Sequence, residues 1–308
     1  MIIGQFVLSD RELRQRFVLN SLNFDLHNHT NASDGTLSAT ALIALAQKNG
    51  CDAVALTDHD TVTNIAEAAN SAASVGLRFI AGVEISVSWI PQGDVDSLSS
   101  TVHIVGLDID PTNRILLDGL ASVRSGRIIR GKAIARQLAT AGIGEIFDEA
   151  LALAKNKEML GRAHFARALV ARGIVKDVST VFKRYLTPGN PGYVPHKWAD
   201  LAEAVAWIRA AGGVAVIAHP GRYGLAKNEL AALFNEFKDL DGHAIEVVTG
   251  SHSPAEYASF AAHCKAFDFF ASRGADFHGI EESSVEPGRL PRLNEIDRDL
   301  RPVWQLFN

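Results

Sequence analysis

Two histidines, His27 and His29, close a short apolar run that begins at Phe24, and Asp34 follows five residues later. In extended backbone, residues i and i+2 point to one face, so the two imidazoles project together. Two imidazoles and a carboxylate at the end of a strand can grip a divalent ion while leaving positions open for water and substrate. Groups of the same kind recur along the chain. His59 follows the run Cys51–Thr57, and Glu84 follows Arg78–Val83. His103 lies in Val102–Leu107, His219 ends Gly213–Ala218, and Asp276 and His278 follow Phe269–Ser272. These nine groups, six of them histidines, fall at or close after apolar segments rather than in mid-helix or in the tail.

Nine ligands exceed the needs of one ion. Two or three divalent ions sharing bridging groups fit the count, with Glu84 as the natural bridge. Closely spaced ions acidify a bridging water and hold a phosphoryl group in line for attack. Imidazole and carboxylate donors suit Mn²⁺, Fe²⁺ or Zn²⁺, and the absence of thiolates argues against a structural zinc site.

The elements that must position these groups alternate. Strands over about 23–27, 51–57 and 78–83 are separated by helices over Thr36–Asn49 and Val62–Val75, stopped by Gly50 and Gly76. This alternation predicts an α/β fold whose reactive groups gather at the carboxyl ends of parallel strands. An amphipathic helix over Ser9–Leu19 precedes the first strand, and the turn-rich stretch 87–101 predicts an irregular hairpin. From about Thr112 to Leu186 the periodicity is helical throughout, with Gly126 and Gly131 as weak points and a basic side of Arg124, Arg127, Arg130, Lys132 and Arg136. Residues 118–195 read as a helical insert over the rim, dividing a main unit of 1–117 and 196–308. The rhythm then resumes with helices over Leu201–Ala211, Lys227–Phe237 and Pro254–Phe267, and strands over Gly213–Ala218, His243–Val248 and Phe269–Ser272.

Composition narrows the function classes. A net charge of −5 gives no global basic field for long duplex nucleic acid. Two distant cysteines make no disulfide framework. The start, Met1–Asp10, has neither a basic leader region nor a long apolar one, and no apolar run approaches the roughly 20 residues of a membrane span. A cytoplasmic setting is expected.

His27-Asn28-His29, Asp34-Gly35, Thr57-Asp58-His59-Asp60, Gly82-Val83-Glu84-Ile85-Ser86, His103-Ile104-Val105-Gly106, Ala218-His219-Pro220 and Asp276-Phe277-His278 together resemble the PHP (polymerase and histidinol phosphatase) family. The resemblance covers 24–110 and 213–279, and no position of the pattern is missing. It implies a distorted (β/α)7 barrel with a cluster of up to three ions. His27, His29, Glu84 and Asp276 would hold the first ion; Glu84, His103 and His219 the second; Asp34, His59 and His278 the third. The insert, with Gly161-Arg162-Ala163-His164 and Tyr193-Val194-Pro195, looks like the subgroup acting on nucleotides. That subgroup includes nucleoside 3′,5′-bisphosphate phosphatases and exonucleases trimming short 5′-phosphorylated oligonucleotides.

Phosphates beyond the metals need cations, and guanidinium grips phosphate bidentately. Arg130, Arg136 and Arg162 in the insert and Arg222 after His219-Pro220 are the candidates, although insert arginines also read as a solvated helix face. His164 reads as a substrate contact or as a satisfied helix histidine. Tyr193 reads as a base-stacking ring or as loop packing. The leaving oxygen takes a proton from a metal-bound water, Asp276 or His252, and His252 also reads as a cap near Pro254. The expected activity is a metal-dependent phosphoesterase that converts a nucleoside 3′,5′-bisphosphate to a nucleoside monophosphate and phosphate, by attack of a hydroxide bridging the first two metals. The alternatives are a 5′–3′ exonuclease on short oligonucleotides, a histidinol-phosphatase-like phosphomonoesterase, and a non-catalytic metal- or nucleic-acid-binding module.

Overall fold

Apolar runs too short and too β-branched for buried helices become seven strands. They are β1 (Phe24–Asp25), β2 (Ala53–Leu56), β3 (Arg78–Trp89), β4 (Ser100–Leu107), β5 (Val214–Ile217), β6 (Ala244–Thr249) and β7 (Phe270–Gly274). The computed structural model describes residues 19–91 and 100–308. All but the last residue of the helix expected over Ser9–Leu19 lies outside the described residues. The strands stand in chain order in one sheet. The last strand returns to the first: the Leu26 N–H donates to the Arg273 carbonyl and the Asp276 N–H to that of His27, each at 2.9 Å. A parallel bridge between Asn28 and Phe277 extends this seam. The expected α/β barrel is present and nearly closed.

Its distortion comes from β4. That strand runs antiparallel to both β3 and β5, whereas the other pairs are parallel. β3 and β4 form the arms of the hairpin expected over 87–101, paired up to Trp89 with Ser100, and its tip, 92–99, lies outside the described residues. Because β4 runs backwards, the residue it offers to the rim sits near its start. His103 is therefore not at the carboxyl end of a parallel strand, as the alternation suggested, yet it reaches the same place. Glu84 likewise lies inside β3, which continues past it.

Helices cover the outside. In α1 (Ala39–Lys48), Ala39, Leu42, Ile43 and Ala46 form one buried stripe, and Ser38 caps the start by accepting the Ala41 N–H. α2 (Ile65–Val75) ends at Gly76 in the left-handed region, φ 68°. Trp304, near the end of the polar tail, packs on Phe24 with ring centroids 4.8 Å apart and covers the barrel end away from the histidines.

The helical stretch begins with α3 (Arg114–Ser125) and α4 (Arg127–Thr140). They break at Gly126, where a β-carbon would come within 2.4 Å of the His196 ring. α5 (Phe147–Leu153), α6 (Arg162–Ala171) and α7 (Val178–Val181), with a π turn over Phe182–Leu186, complete it. Ile134, Leu138, Phe165 and Leu169 belong to a second hydrophobic cluster. Leu116, Leu120 and Val123 of α3 instead join the barrel core. By packing, this second cluster begins beyond Gly126, and α3 goes with the barrel. The barrel is completed by α8 (Leu201–Ala210), α9 (Lys227–Asp239) and α10 (Pro254–Ala266). No helix among the described residues is long and apolar enough to cross a membrane.

Candidate metal centre and substrate cleft

All nine expected ligands meet at one rim of the barrel. The Nε2 atoms of His27 and His29 face each other at 3.1 Å, and Glu84 Oε2 lies 3.2 Å from both. Asp276 Oδ1 is 3.3 Å from His29 Nε2 and 3.5 Å from His27 Nε2. The other Glu84 oxygen is 2.8 Å from His103 Nδ1 and 3.0 Å from His219 Nε2. Asp34 reaches His278 at 3.4 Å and His59 at 3.7 Å. Among the described residues, three groups have donor atoms close enough to share an ion: His27–His29–Glu84–Asp276, His59–Glu84–His103, and His29–Asp34–His59–His278. The first matches the expected set. The third gains His29. The second has His59 where His219 was expected, and His219 stays beside Glu84.

Local backbone explains the convergence. The chain that runs on from β1, bridged at Asn28 to Phe277, carries His27 and His29 two residues apart into the cluster. His219 and Asp276 adopt left-handed backbone, φ 25° and 53°, as does Asp60 directly after His59, φ 46°. For residues with a β-carbon such geometry costs on the order of 1–3 kcal/mol and persists where neighbours enforce it. The buried Asp58 accepts from the Thr30 N–H at 2.7 Å and the Ser33 hydroxyl at 2.5 Å, and so fixes the loop that carries Asp34.

One supporting residue escapes sequence reasoning. Glu246, buried in β6, takes His27 Nδ1 at 2.8 Å on one oxygen and the His219 backbone N–H at 2.6 Å on the other. A carboxylate on the far nitrogen fixes the tautomer that turns a lone pair toward an ion. Its only signal in the sequence is an acid inside the apolar run Ala244–Val248, a placement that demands a partner.

The donor set fits divalent cations. Glu84 Oε2 and the Nδ1 atoms of His29, His59 and His219 are buried without a hydrogen-bond partner. Unpaired acceptors are expensive in an interior, and Glu84 Oε2 and His59 Nδ1, facing each other at 3.0 Å, call for a cation. Burial alone raises the Glu84 carboxyl, but the His59, His27 and His103 imidazoles prevail and hold it well below the usual carboxylate range. Burial likewise opposes charge on His29, yet Asp276 and Glu84 draw it up to about 10. Protons and metal thus compete for the same atoms.

Above these residues opens a cleft of about 480 Å³ whose walls include Arg127, Arg130, Arg162, Arg222, Phe182 and Trp198. The Arg127 and Arg130 guanidinium carbons lie 4.8 and 5.1 Å from the Trp198 ring centroid. Arg130 donates to the Val194 carbonyl and Arg162 to that of Leu186, so neither charge is spent on a carboxylate in these contacts. Burial, with Arg162 and Arg127 beside it, lowers Arg130 to about 9. Arg222 holds Asp276 Oδ2 at 2.6 Å.

Other expected contacts fail. Arg136 is exposed and outside the cleft walls. It lies six residues from Arg130, about 240° around the helix, whereas Arg127 at i−3 shares the cleft face. His164 is buried, with Nδ1 accepting the Gly161 N–H at 3.1 Å and burial pushing it down to about 4, so it serves the start of α6. Tyr193 is not a cleft wall. His252 pairs Nδ1 with the Val247 carbonyl at 3.1 Å and accepts the Gly221 N–H on Nε2 at 3.0 Å. With both nitrogens committed to backbone, and its ring stacked on Phe260, it is not a proton donor to the cleft. Asp276, with burial overcome by His27 and His29, stays well below the usual range and is a carboxylate rather than an acid. Phe182 and Trp198 went unread because an aromatic in a helix or loop reads as packing.

The PHP domain family matches residues 25–249. A 3′,5′-nucleoside bisphosphate phosphatase of Chromobacterium violaceum is 46% identical over 283 residues, covering 92% of this chain and 95% of that protein. The 5′-3′ exoribonuclease Rnm of Escherichia coli is 39% identical over 286 residues, covering 92% and 93%. Among solved structures, an amidohydrolase from Chromobacterium violaceum with bound sulfate and no metal superposes with a TM-score of 0.85 at 46% identity, covering 92% of this chain and 95% of that one. A metal-dependent phosphoesterase structure from Bifidobacterium adolescentis does so with a TM-score of 0.77 at 26% identity, covering 92% and 99%. The chain belongs to the PHP domain family, as a hydrolase of phosphate esters.

Proposed function

We propose that this phosphoesterase hydrolyses a nucleoside 3′,5′-bisphosphate to a nucleoside monophosphate and phosphate. The observation that carries this is one cleft with a cluster below that would take a phosphate through its ions and arginines above that would take a second directly. A single small phosphomonoester would leave the upper cations unused. The similarity to the Chromobacterium violaceum phosphatase supports the reading.

His27, His29, Glu84 and Asp276, then Glu84, His59, His103 and His219, then Asp34, His59 and His278 with His29 beside them, would hold the ions. Mn²⁺ is the proposed metal, and Fe²⁺ and Zn²⁺ suit the same donors. When bound, such ions lower the pKa of water and offset charge developing on the phosphoryl oxygens. The chain itself positions the substrate. Arg130 and Arg162 hold the phosphate that is not cleaved, Trp198 and Phe182 flank the nucleoside, and Arg222 keeps Asp276 ionised and oriented. Water forms the new bond to phosphorus, the ester bond breaks, and the departing oxygen is protonated by water in the cleft rather than by His252. The helical unit serves substrate recognition, and the buried free thiols Cys51 and Cys264 suit a reducing cytoplasm.

A second reading, stepwise 5′–3′ trimming of short 5′-phosphorylated oligonucleotides, is favoured by the exoribonuclease relatives. The test offers adenosine 3′,5′-bisphosphate, a 5′-phosphorylated trinucleotide and small phosphomonoesters to the Mn²⁺-loaded enzyme and identifies the products. Release of phosphate and AMP from the bisphosphate, with kcat/KM at least about tenfold above the trinucleotide, is the expected result. The reverse order replaces the first reading with the second.

A further inference from the structure

The ligands of the three groups are not held in the same way. His27 and His219 lean on Glu246, and His103 donates its backbone N–H to the Tyr223 hydroxyl at 2.9 Å, all within the barrel. Asp34, His59 and His278 lie on loops instead, and those loops are gripped from the helical unit and the helix leading into it. Arg167 of α6 makes a two-pronged pair with Glu282, 2.6 Å from Nε and 2.7 Å from Nη2. The same Nη2 donates to the backbone carbonyl of Asp34 at 2.5 Å. Glu282 lies four residues beyond His278, and the His278 carbonyl takes the Thr36 N–H at 2.7 Å, so Arg167 binds both loops at once. On the opposite side, Arg124 donates to the Asp60 carbonyl at 2.7 Å, and Arg127 forms a buried ion pair with the Asp60 carboxylate. Asp60 follows His59 directly, sits in left-handed backbone, and also accepts from the Ser86 N–H at 2.8 Å.

We propose that Arg124, Arg127 and Arg167 are positioning residues for the Asp34–His59–His278 ligand set, so that docking of the helices and loading of that one metal position are a single event. This rests on the reading of those three residues as metal ligands. The helices therefore do more than roof the cleft. An ion held there reports that the cations lining the cleft are in place, while the position of His27, His29, Glu84 and Asp276 loads without them. Of the three, Arg167 is the cleanest probe, because it lies outside the cleft walls and touches no other ligand group.

The test counts ions. Metal-stripped protein, Arg167→Ala, Arg167→Lys, Glu282→Gln, Asp34→Ala and Leu169→Ala are titrated with Mn²⁺, and bound metal per chain is read by elemental analysis and calorimetry. Circular dichroism confirms folding. Asp34→Ala removes a ligand and loses one ion per chain. Arg167→Ala loses that same ion, with about 10- to 100-fold weaker binding at that position and unchanged affinity at the others. Arg167→Lys and Glu282→Gln, which keep volume, give intermediate losses should Arg167→Ala fail to fold. Leu169→Ala, which thins the second core without touching an anchor, keeps every ion. If Asp34→Ala loses an ion while the Arg167 and Glu282 variants bind the full complement, the proposal is overturned and the ligand reading stands. A full complement in Asp34→Ala removes the ligand reading and the proposal with it. Loss of the ion in Leu169→Ala as well would mean generic loosening, and also overturns it.

Discussion

Glu246 turns one carboxylate to two tasks, orienting the His27 ring and tying down the backbone of His219. Glu246→Gln keeps the shape but changes the choice of donor. An amide that keeps its oxygen on the His219 N–H presents its NH₂ to His27, which must then accept at Nδ1 and carry its proton at Nε2, the nitrogen aimed at the cluster. We predict about 10- to 100-fold weaker Mn²⁺ binding with an unchanged circular dichroism spectrum, measured by calorimetric titration of stripped protein. Equal affinity in the two proteins would show that the pair does not set the tautomer. The nine residues that meet in the cluster stood out in the sequence because nearly all of them interrupt or end an apolar run, where burial without purpose is costly. Glu246 breaks the same rule in β6, inside the run His243–Val248. The arginines were legible only as a set. Whether Arg130 or Arg136 faces the cleft depends on how α4 is rolled against the barrel, which its own composition leaves open. His164 and His252 each kept two readings in sequence; the nearby Gly161 N–H makes His164 a helix histidine, whereas the partner of His252, Gly221, comes near only through the fold.

Among elements, the seam between β1 and β7 is the most exacting. β1 is two residues long, so the first ligand strand depends on β7 for its place. Gly274 makes this possible. A β-carbon there would lie 2.3 Å from the His27 β-carbon and 2.5 Å from its backbone nitrogen, neither of which is the free end of a flexible chain. Gly274→Ala therefore forces the strands apart. We expect a loss of about 1–3 kcal/mol or more, read as a lower midpoint in thermal or urea unfolding, together with weakened binding at the position that includes His27. A variant as stable as the parent would mean the seam has slack that the distances do not show. Strand positions were recoverable from apolar runs and the helices from their stops. The reversed direction of β4 was only half legible. The turn-rich stretch 87–101 announced a hairpin, but the alternating rhythm around it argued for parallel neighbours. The rhythm is a local signal, whereas strand direction is settled by pairing with β5, more than 100 residues away in sequence.

For the molecule as a whole, the cluster draws together the two ends of the barrel. His27 and Asp276 stand on either side of the closing seam, within 3.5 Å of one another. A ligand that binds only the folded arrangement stabilises it by mass action, by about 2.7 kcal/mol at a concentration 100-fold above its Kd. Saturating Mn²⁺ should raise the unfolding midpoint of stripped protein, and excess chelator should return it. Differential scanning calorimetry at both extremes checks this, and identical midpoints would show that folding and ion binding are independent. The run of helices between β4 and β5 was visible as a change from alternating to purely helical periodicity. The boundary was not, because α3 has the helical period of the insert but buries Leu116, Leu120 and Val123 in the barrel. Period identifies an element, and only packing assigns it to a core.

The left-handed backbone at His219 and Asp276 sets selection for durability against selection for turnover. Glycine would relieve the local strain at either site and remove a side chain from the cluster. A lineage chosen only for heat resistance would drift toward glycine at both places, while one chosen for hydrolysis must keep the histidine and the aspartate. Two otherwise similar descendants of this chain could therefore be told apart by these two codons alone: one would retain an enzyme, the other a sturdier barrel.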